Sequence, residues 1–443
     1  MVSTEEDLLS AHTADWSGWR DVAPIALLRP RTTEDVSAAL KICHARRQPV
    51  AIQGGLTGLC GGASTHRGEI ALSLARLTGI DEVEPGAITV RAGTLIGTVQ
   101  DAARAHNAEL GIDFGARGSA MVGGAIATNA GGLHVIETGM TRAQVLGLEV
   151  VLADGRILSE LTAMVKVNSG FDLKQLFIGS EGALGVITGA CFQLRPLRAG
   201  LSTAVLALRE AAGLLPALAA ARSRFGPDLS AFEAMWSDYV ETMTARTPFG
   251  LPLEAPMTVI LEVRAAAESE AMERMESFLS DASGDGWLAD AVIAQSSEQA
   301  RSLWALRDEG PALYDQIFAD KVVFDISVPA QKIHEAAASM AEAAAHRADL
   351  HPLTYGHIGD NNLHFVFGAD TALSPAEKRS IEHDVYHRVA ALGGAISAEH
   401  GIGMTKKDYL GLTRSPVARA LMRDLKRTLD PRGILNPGRV IDV

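Results

Sequence analysis

A chain of 443 residues exceeds what one hydrophobic core ordinarily supports, so two domains are expected. A formal charge of −13 excludes a surface built for nucleic acid or an anionic membrane, because either partner would be repelled over most of the molecule. Three scattered cysteines, Cys43, Cys60 and Cys191, exclude a disulfide framework and a thiolate metal site, and no leader-like or membrane-spanning apolar run is seen, so a cytoplasmic protein is expected, with peripheral contact to a membrane left open.

In chain order, residues 1–200 read as short β segments broken by glycine clusters. One helix interrupts them over 33–46, where Val36, Ala39, Leu40 and Cys43 share a face. From 201 the texture changes to a strand (203–208), a helix in the Ala-rich stretch 211–222 and a strand (229–235). A second round follows with a strand at 257–263, a helix at 268–280 and a strand at 288–294. Later strands are expected at 321–328, 352–357 and 362–367, the last two joined by the turn Gly359-Asp360-Asn361, with an Ala-rich helix over 336–348. Near the end Ser415 caps a helix opened by Pro416, which is expected to carry Val417, Leu421 and Leu425 inward and to stop before Asp430-Pro431. The expected fold class is α+β. A first domain, 1–200, is completed by the segment 401–443, and a second domain, 201–400, is inserted between them with an antiparallel sheet covered by helices.

Three glycine-rich runs stand out, Gln53–Gly62, Gly115–Gly132 and Gly179–Thr188. None is GxGxxG or GxxxxGK[ST], and none shows the amphipathic helix that a Rossmann or P-loop site needs after its glycines. Loops without Cβ atoms let successive N–H groups converge on phosphate oxygens, which holds an anion locally in an acidic protein. A single run is more often a set of tight turns. Three runs carrying Thr57, Ser119, Thr128, Asn129 and Ser180 point to a dinucleotide cradle.

The runs QGGLTGL, GSAMVGGAIATNAGG with VLGLEVVLADGRIL, and FDLKQLFIGSEGALGVIT resemble the FAD-binding domain of the vanillyl-alcohol oxidase (PCMH-type) flavoprotein superfamily. Within it they look most like the D-2-hydroxyglutarate and D-lactate dehydrogenase group. The resemblance covers essentially the whole chain. It implies a two-part FAD-binding domain and an inserted substrate or cap domain. Gln53, Gly54, Gly55, Leu56, Thr57 and Gly58 would form the pyrophosphate loop. Gly118, Ser119, Gly124, Thr128, Asn129, Gly131 and Gly132, with Ile187 further on, would line the ADP and flavin, and Asn436 of the Asn-Pro-Gly element would approach the isoalloxazine. Leu56 stands where relatives usually carry Gly or Asn, and His134 where Arg is common. No histidine occupies position 56 or 57, where covalently flavinylated members place one, so the FAD should be non-covalent.

Two further segments concentrate chemistry. Tyr355–His364 places His357 and His364 on either side of a turn, and alternation along the second strand puts His364 beside Asn362 on the more polar face. Ser397–Gly403 adds Glu399 next to His400, and two imidazoles with a carboxylate suit zinc, manganese or iron(II). Taken singly, each has a plainer reading as a hydrogen-bonded structural residue or a turn former. Together they resemble the family's GHxGDGNxH and SxEHGxG signatures, with Asn361 replacing a Gly at a position where Asn tolerates positive φ. The resemblance implies a divalent metal, zinc first with manganese or iron as alternatives, held by His357, His364 and Glu399. It also implies His400 as the general base and Arg307 as the anchor for a substrate carboxylate.

The implied reaction is oxidation of a small (R)-2-hydroxy acid to the 2-oxo acid. The metal would lower the hydroxyl pKa, His400 would take its proton and the α-hydride would pass to flavin N5. Pro311, Val323 and Val366 fall where the 2-hydroxyglutarate branch has polar groups for the distal carboxylate, with Lys321 near enough to compensate. A D-lactate-like or larger apolar acid is therefore expected, with D-2-hydroxyglutarate as the alternative. Electrons would leave to a quinone, a cytochrome or an electron-transfer flavoprotein, and a homodimer is left open. The competing readings are a non-catalytic flavin subunit of a larger oxidoreductase and a metallohydrolase.

Overall fold

The helix Thr33–Arg46 occupies the span that its periodicity predicts. Thr32 caps it by accepting the Asp35 N–H, Val36, Leu40 and Cys43 turn to the core at helical spacing, and Arg47 closes it in the left-handed conformation. Ala39 lies only half-buried, and Ser37 takes the neighbouring core position. The structure is a computed structural model describing residues 2–443.

Contacts divide the chain into two units. The first comprises the residues up to Gly132, Thr138–Leu197 and Glu399–Val443. It contains a four-stranded sheet in the order Val2–Ser3, Ala26–Leu28, Ile70–Ser73, Val50–Gln53, whose last three strands run parallel. A five-stranded antiparallel sheet runs Ile80–Glu84, Ala87–Arg91, Val186–Gln193, Val145–Val151, Ile157–Glu160. The two sheets share one core that includes Val50, Leu72, Val90, Val150 and Phe192. The chain end joins it: Val50 donates its N–H to Ile434 O (2.8 Å) and accepts from Asn436 N (2.9 Å), so residues near 435 line the strand that leads into the first glycine run.

The second unit comprises Arg198–Ala398 and the short segment Leu133–Glu137. Its seven strands form one antiparallel sheet in the order Leu288–Ile293, Gly200–Leu208, Met257–Ala265, Leu229–Trp236, Leu350–His357, Asn362–Ala369, Asp320–Ser327. The central strands are buried: helices such as Leu214–Phe225, Glu268–Ala282 and Ile333–Ala344 pack against the sheet, and Ser237–Arg246 and Ser297–Asp308 share a core with strand residues Met235, Ile260 and Tyr355. These elements overlap the strands and helices read from hydrophobic pattern, each within a few residues at its ends.

Three expectations are corrected. Leu133–Glu137 packs with the second unit although it lies inside the span 1–200, because Glu137 is ion-paired to Arg198 and Arg264 and His134 Nε2 lies 3.4 Å from Glu262. The second glycine run, read as loop among short β segments, contains a helix, Val122–Thr128; it is short and mostly buried, so the reading that no amphipathic helix follows the glycines stands. The C-terminal helix, Pro416–Leu429, starts at its Ser415 cap as expected but faces the other way. Val417, Leu421 and Leu425 are 70%, 59% and 39% exposed, and Lys426 is 3% exposed. The Lys426 ammonium donates to Ala183 O (2.8 Å), Leu435 O (2.6 Å) and Asp430 (2.6 Å), and these three buried oxygens fix the helix rotation that apolar periodicity read wrongly.

Candidate active site

In the first unit the three glycine runs converge. A Cβ on Gly55 would collide with the carbonyl oxygen of Ser119, and one on Gly54 would lie 3.7 Å from Gly124 Cα, so the first and second runs approach as closely as backbones can. The third run joins them through Gly179 N to Ile126 O (3.0 Å) and Glu181 N to Ala127 O (2.8 Å). A Cβ on Gly118 or Gly124 would meet no protein atom within 4 Å, and Gly118 and Ser119 are exposed. A ring of backbone with open, Cβ-free positions fits a bound dinucleotide.

Several predicted cofactor residues shape this ring rather than extend from it. Gln53 is fully buried and spends its amide on His12 and Ala63. Asn436 accepts the Ile52 N–H (2.7 Å) and donates to Glu181 O (2.6 Å), tying the first run to the third. Thr128 donates to Gly124 O (3.0 Å), and Asn129 ends its helix at φ 52° while accepting the Arg142 N–H (2.8 Å). Ile187 is a core residue of strand Val186–Gln193. Leu56 sits at φ 58°, a left-handed conformation that costs a leucine on the order of 1–2 kcal/mol and explains why Gly or Asn would suit the position better.

The loop carrying Glu399 and His400 belongs to this unit. An added Cβ on Gly131 would lie 2.5 Å from the Glu399 carboxylate, so the flavin-side run and this carboxylate are in direct contact. After His400 the chain turns through Gly401 at φ 82°, and the Glu181 carboxylate accepts the N–H groups of Ile402 and Gly403, both at 2.8 Å. Burial pushes the Glu181 carboxyl upward, opposed by those two donors.

In the second unit, strand register gathers the remaining groups. Glu233 stands directly opposite His357, Tyr355 opposite His364, and His364 opposite Asp325. Tyr355 and His357 are two residues apart, as are Asn362 and His364, so this row lies on one face of the sheet. The imidazoles of His357 and His364 meet edge to face with centroids 5.2 Å apart, 6% and 7% exposed. Between them the turn Ile358–Asp360 ends in Asn361 at φ 68°, a conformation that this Asn adopts in place of Gly. Burial raises the Asp360 carboxyl to about 6.

Arg307, at the end of helix Ser297–Asp308, lies over the Tyr355 ring at 4.8 Å. Its Nε donates to Glu233 Oε2 (2.8 Å), and its Nη2 donates to His357 Nε2 (3.1 Å). His357 Nδ1 in turn donates to Glu233 Oε1. A guanidinium can only donate, so Nε2 bears the lone pair and Nδ1 the proton. Burial pushes the Glu233 carboxyl up, but the electrostatic pull of His357 and Arg307, with a hydrogen bond from each, outweighs it and holds it below the usual carboxylate range. Burial opposes the Arg307 charge, and Glu233 more than restores it. An Nε2 lone pair on an imidazole whose Nδ1 is held by a carboxylate fits a divalent ion, which would take over the Arg307 Nη2 contact and leave Nε on Glu233.

Asp325 organises the other side of the row. It is 1% exposed and accepts from Asn362 Nδ2 (2.9 Å), Ser397 Oγ (3.4 Å) and Ala398 N (3.2 Å). Ala398 immediately precedes Glu399, so Asp325 holds the end of the segment from which the Glu399–His400 pair springs.

Residues 200–440 match the family model for the C-terminal domain of FAD linked oxidases, and residues 24–160 match that of the FAD binding domain. The chain belongs to the FAD-linked oxidase family. It is an FAD-binding oxidoreductase, and the PCMH-type resemblance of its glycine runs is borne out. The chain is 36% identical over 445 residues to the mitochondrial D-2-hydroxyglutarate dehydrogenase of Bos taurus, covering 99% of this chain and 81% of that relative. It is 37% identical over 461 residues to D-2-hydroxyglutarate dehydrogenase of Xanthomonas citri pv. viticola, covering 100% and 94%. A solved structure of p-cresol methylhydroxylase with substrate bound superposes with TM-score 0.76 at 17% identity, covering 100% of this chain and 94% of that one. Alkyldihydroxyacetonephosphate synthase gives 0.75 at 16%, covering 98% and 83%. These two structural likenesses carry the fold alone.

Sequence reasoning missed Glu233 and Asp325. Each sits in an apolar strand as its one buried acid, and a carboxylate in such a strand, Ala-Phe-Glu-Ala or Val-Phe-Asp-Ile, is the signal that was present, because an unpaired charge there would be costly.

Proposed function

We propose that the chain is an FAD-dependent dehydrogenase converting a small (R)-2-hydroxy acid to its 2-oxo acid. The observation that carries this reading is the row of Glu233, His357, His364 and Asp325 on one sheet face with Arg307 over it. When bound, non-covalent FAD supplies a two-electron acceptor, and a divalent ion on His357, His364 and Glu399, zinc first, supplies positive charge beside the substrate hydroxyl. Arg307 takes the substrate carboxylate through its guanidinium, kept charged by Glu233. His400, next to Glu399, takes the hydroxyl proton, a task suited to an imidazole whose ordinary pKa is about 6.5.

For the substrate side chain we favour a short or apolar group. Val323 and Val366 face each other across adjacent strands on the same face as His364, and Pro311 begins just after the Arg307 helix. Lys321, the one cation expected to compensate, is paired with Asp315. The second reading, D-2-hydroxyglutarate, is favoured by the activity that the full-length relatives are named for. Values of kcat/KM for D-lactate, longer apolar (R)-2-hydroxy acids and D-2-hydroxyglutarate decide between them, and a large preference for the dicarboxylate would end the first reading. The dehydrogenase itself is tested by anaerobic bleaching of the flavin with the same acids, repeated after chelation and with His400→Ala. Bleaching unchanged by both treatments would remove the metal and the base from the reaction. A quinone, a cytochrome or an electron-transfer flavoprotein, whichever reoxidises the bleached enzyme, identifies the acceptor.

A further inference from the structure

We propose that Glu233 is a positioning residue serving two parts of the site at once: it fixes which ring nitrogen His357 offers to a divalent ion, and it holds the Arg307 guanidinium for the substrate carboxylate. This rests on the reading of His357 and Arg307 given under the proposed function. Glu233 faces His357 across the strand ladder, is 1% exposed, and uses both oxygens, Oε1 on His357 Nδ1–H and Oε2 on Arg307 Nε–H at 2.8 Å. A proton held at Nδ1 leaves Nε2 as the only ring nitrogen with a lone pair to give.

The two contacts require a carboxylate. Glutamine has the same shape but one oxygen and one amide nitrogen. If its oxygen faces Arg307, its NH2 faces His357 Nδ1, which is satisfied only by the tautomer that places the proton on Nε2. If its oxygen faces His357, its NH2 opposes the Arg307 Nε–H, donor against donor, and the guanidinium is displaced. Glu233→Gln therefore weakens either metal binding or carboxylate binding, whichever way the amide turns. Glu262 is the comparison. It is also buried, at 6%, and accepts from Ser230 Oγ (2.8 Å), with His134 Nε2 at 3.4 Å, but touches neither His357 nor Arg307 in this geometry.

The test uses the FAD-loaded enzyme stripped of metal, titrated calorimetrically with zinc alone, and the metal-reloaded enzyme in steady-state kinetics. Glu233→Gln is expected to weaken zinc binding about 10–100-fold, or to raise KM for the acid by a similar factor with a smaller change in kcat. Glu233→Asp, which keeps two acceptors on a shorter arm, recovers part of either loss and serves if the glutamine variant does not fold. Glu262→Gln shifts the melting temperature but leaves the zinc Kd and the KM within about twofold. Wild-type zinc affinity and KM in both Glu233 variants would overturn the proposal alone. A wild-type chain that takes up no zinc would overturn the metal reading and this proposal with it.

Discussion

Gly131→Ala is the sharpest probe of how the flavin side and the carboxylate of Glu399 are joined. Position 131 has an ordinary backbone conformation, so alanine costs no left-handed strain. Its new methyl points at Glu399, with Oε1 at 2.5 Å and Cδ at 3.2 Å. Ordinary van der Waals contact begins at 3.4 Å, so the oxygen must retreat by about 0.9 Å. A carboxylate at the end of a flexible side chain can do that without moving the fold, and the melting temperature and flavin content are expected to stay at wild-type values. Metal–ligand distances tolerate only about 0.2 Å, so the same shift takes Glu399 out of ligand geometry. By analogy with the loss of groups that orient metal ligands, zinc binding should weaken about 10–100-fold, roughly 1.4–2.8 kcal/mol. The assay is calorimetric zinc titration of the FAD-loaded, chelated variant, with flavin absorbance as the internal control. Wild-type zinc affinity with full flavin would refute Glu399 as a ligand placed by Gly131, and flavin loss would show that the methyl points into the nucleotide opening instead.

Gly55→Ala has the opposite signature: its methyl meets the rigid Ser119 carbonyl, so the glycine runs must part, and FAD affinity measured by reconstitution should fall by at least about 100-fold, the loss of one or two charge-assisted hydrogen bonds. Leu56→Asn should raise the melting temperature of the FAD-loaded enzyme by about 1–2 °C, about 1 kcal/mol, by relieving left-handed strain, and a lower value would mean that the leucine side chain contributes more than its backbone costs. Burial raises the Asp238 carboxyl from 3.8 to about 6, so the neutral form favours the fold, that contribution is complete below pH 4 and is lost as pH rises through about 6. Asp238→Asn should therefore gain stability relative to wild type as pH rises from about 4 to about 6, by up to about 3 kcal/mol, and keep that gain at higher pH; a pH-independent difference in unfolding free energy across that window would contradict this. Lys426→Met should cost about 3–5 kcal/mol in denaturant unfolding because it strands Asp430 and two carbonyls in the interior, whereas Leu421→Gln should stay within about 0.5 kcal/mol.

The sequence by itself determined what depends on neighbours along the chain. Ser415 caps the C-terminal helix, as Thr32 caps Thr33–Arg46, because a hydroxyl three residues upstream of a free N–H group suffices, and Asn361 could be read as a residue that tolerates positive φ from its type alone. The glycine runs and the His357–His364 and Glu399–His400 motifs were legible for the same reason, since each is a contiguous stretch whose composition has few structural uses. What only the tertiary structure decided is where a single polar atom finds its partner. The C-terminal helix turned Lys426 inward and Leu421 outward because the carbonyl of distant Ala183, the carbonyl of Leu435 and the carboxylate of Asp430 needed one cation, a requirement that apolar periodicity does not encode. Leu133–Glu137 left its sequence neighbours for Arg198, Arg264 and Glu262 on the same grounds. Glu233 and Asp325 became the supports of the histidine row only through strand register, which brings residues 124 and 39 positions apart face to face. Burying a charge is costly without a matching partner, and such partners are chosen in space.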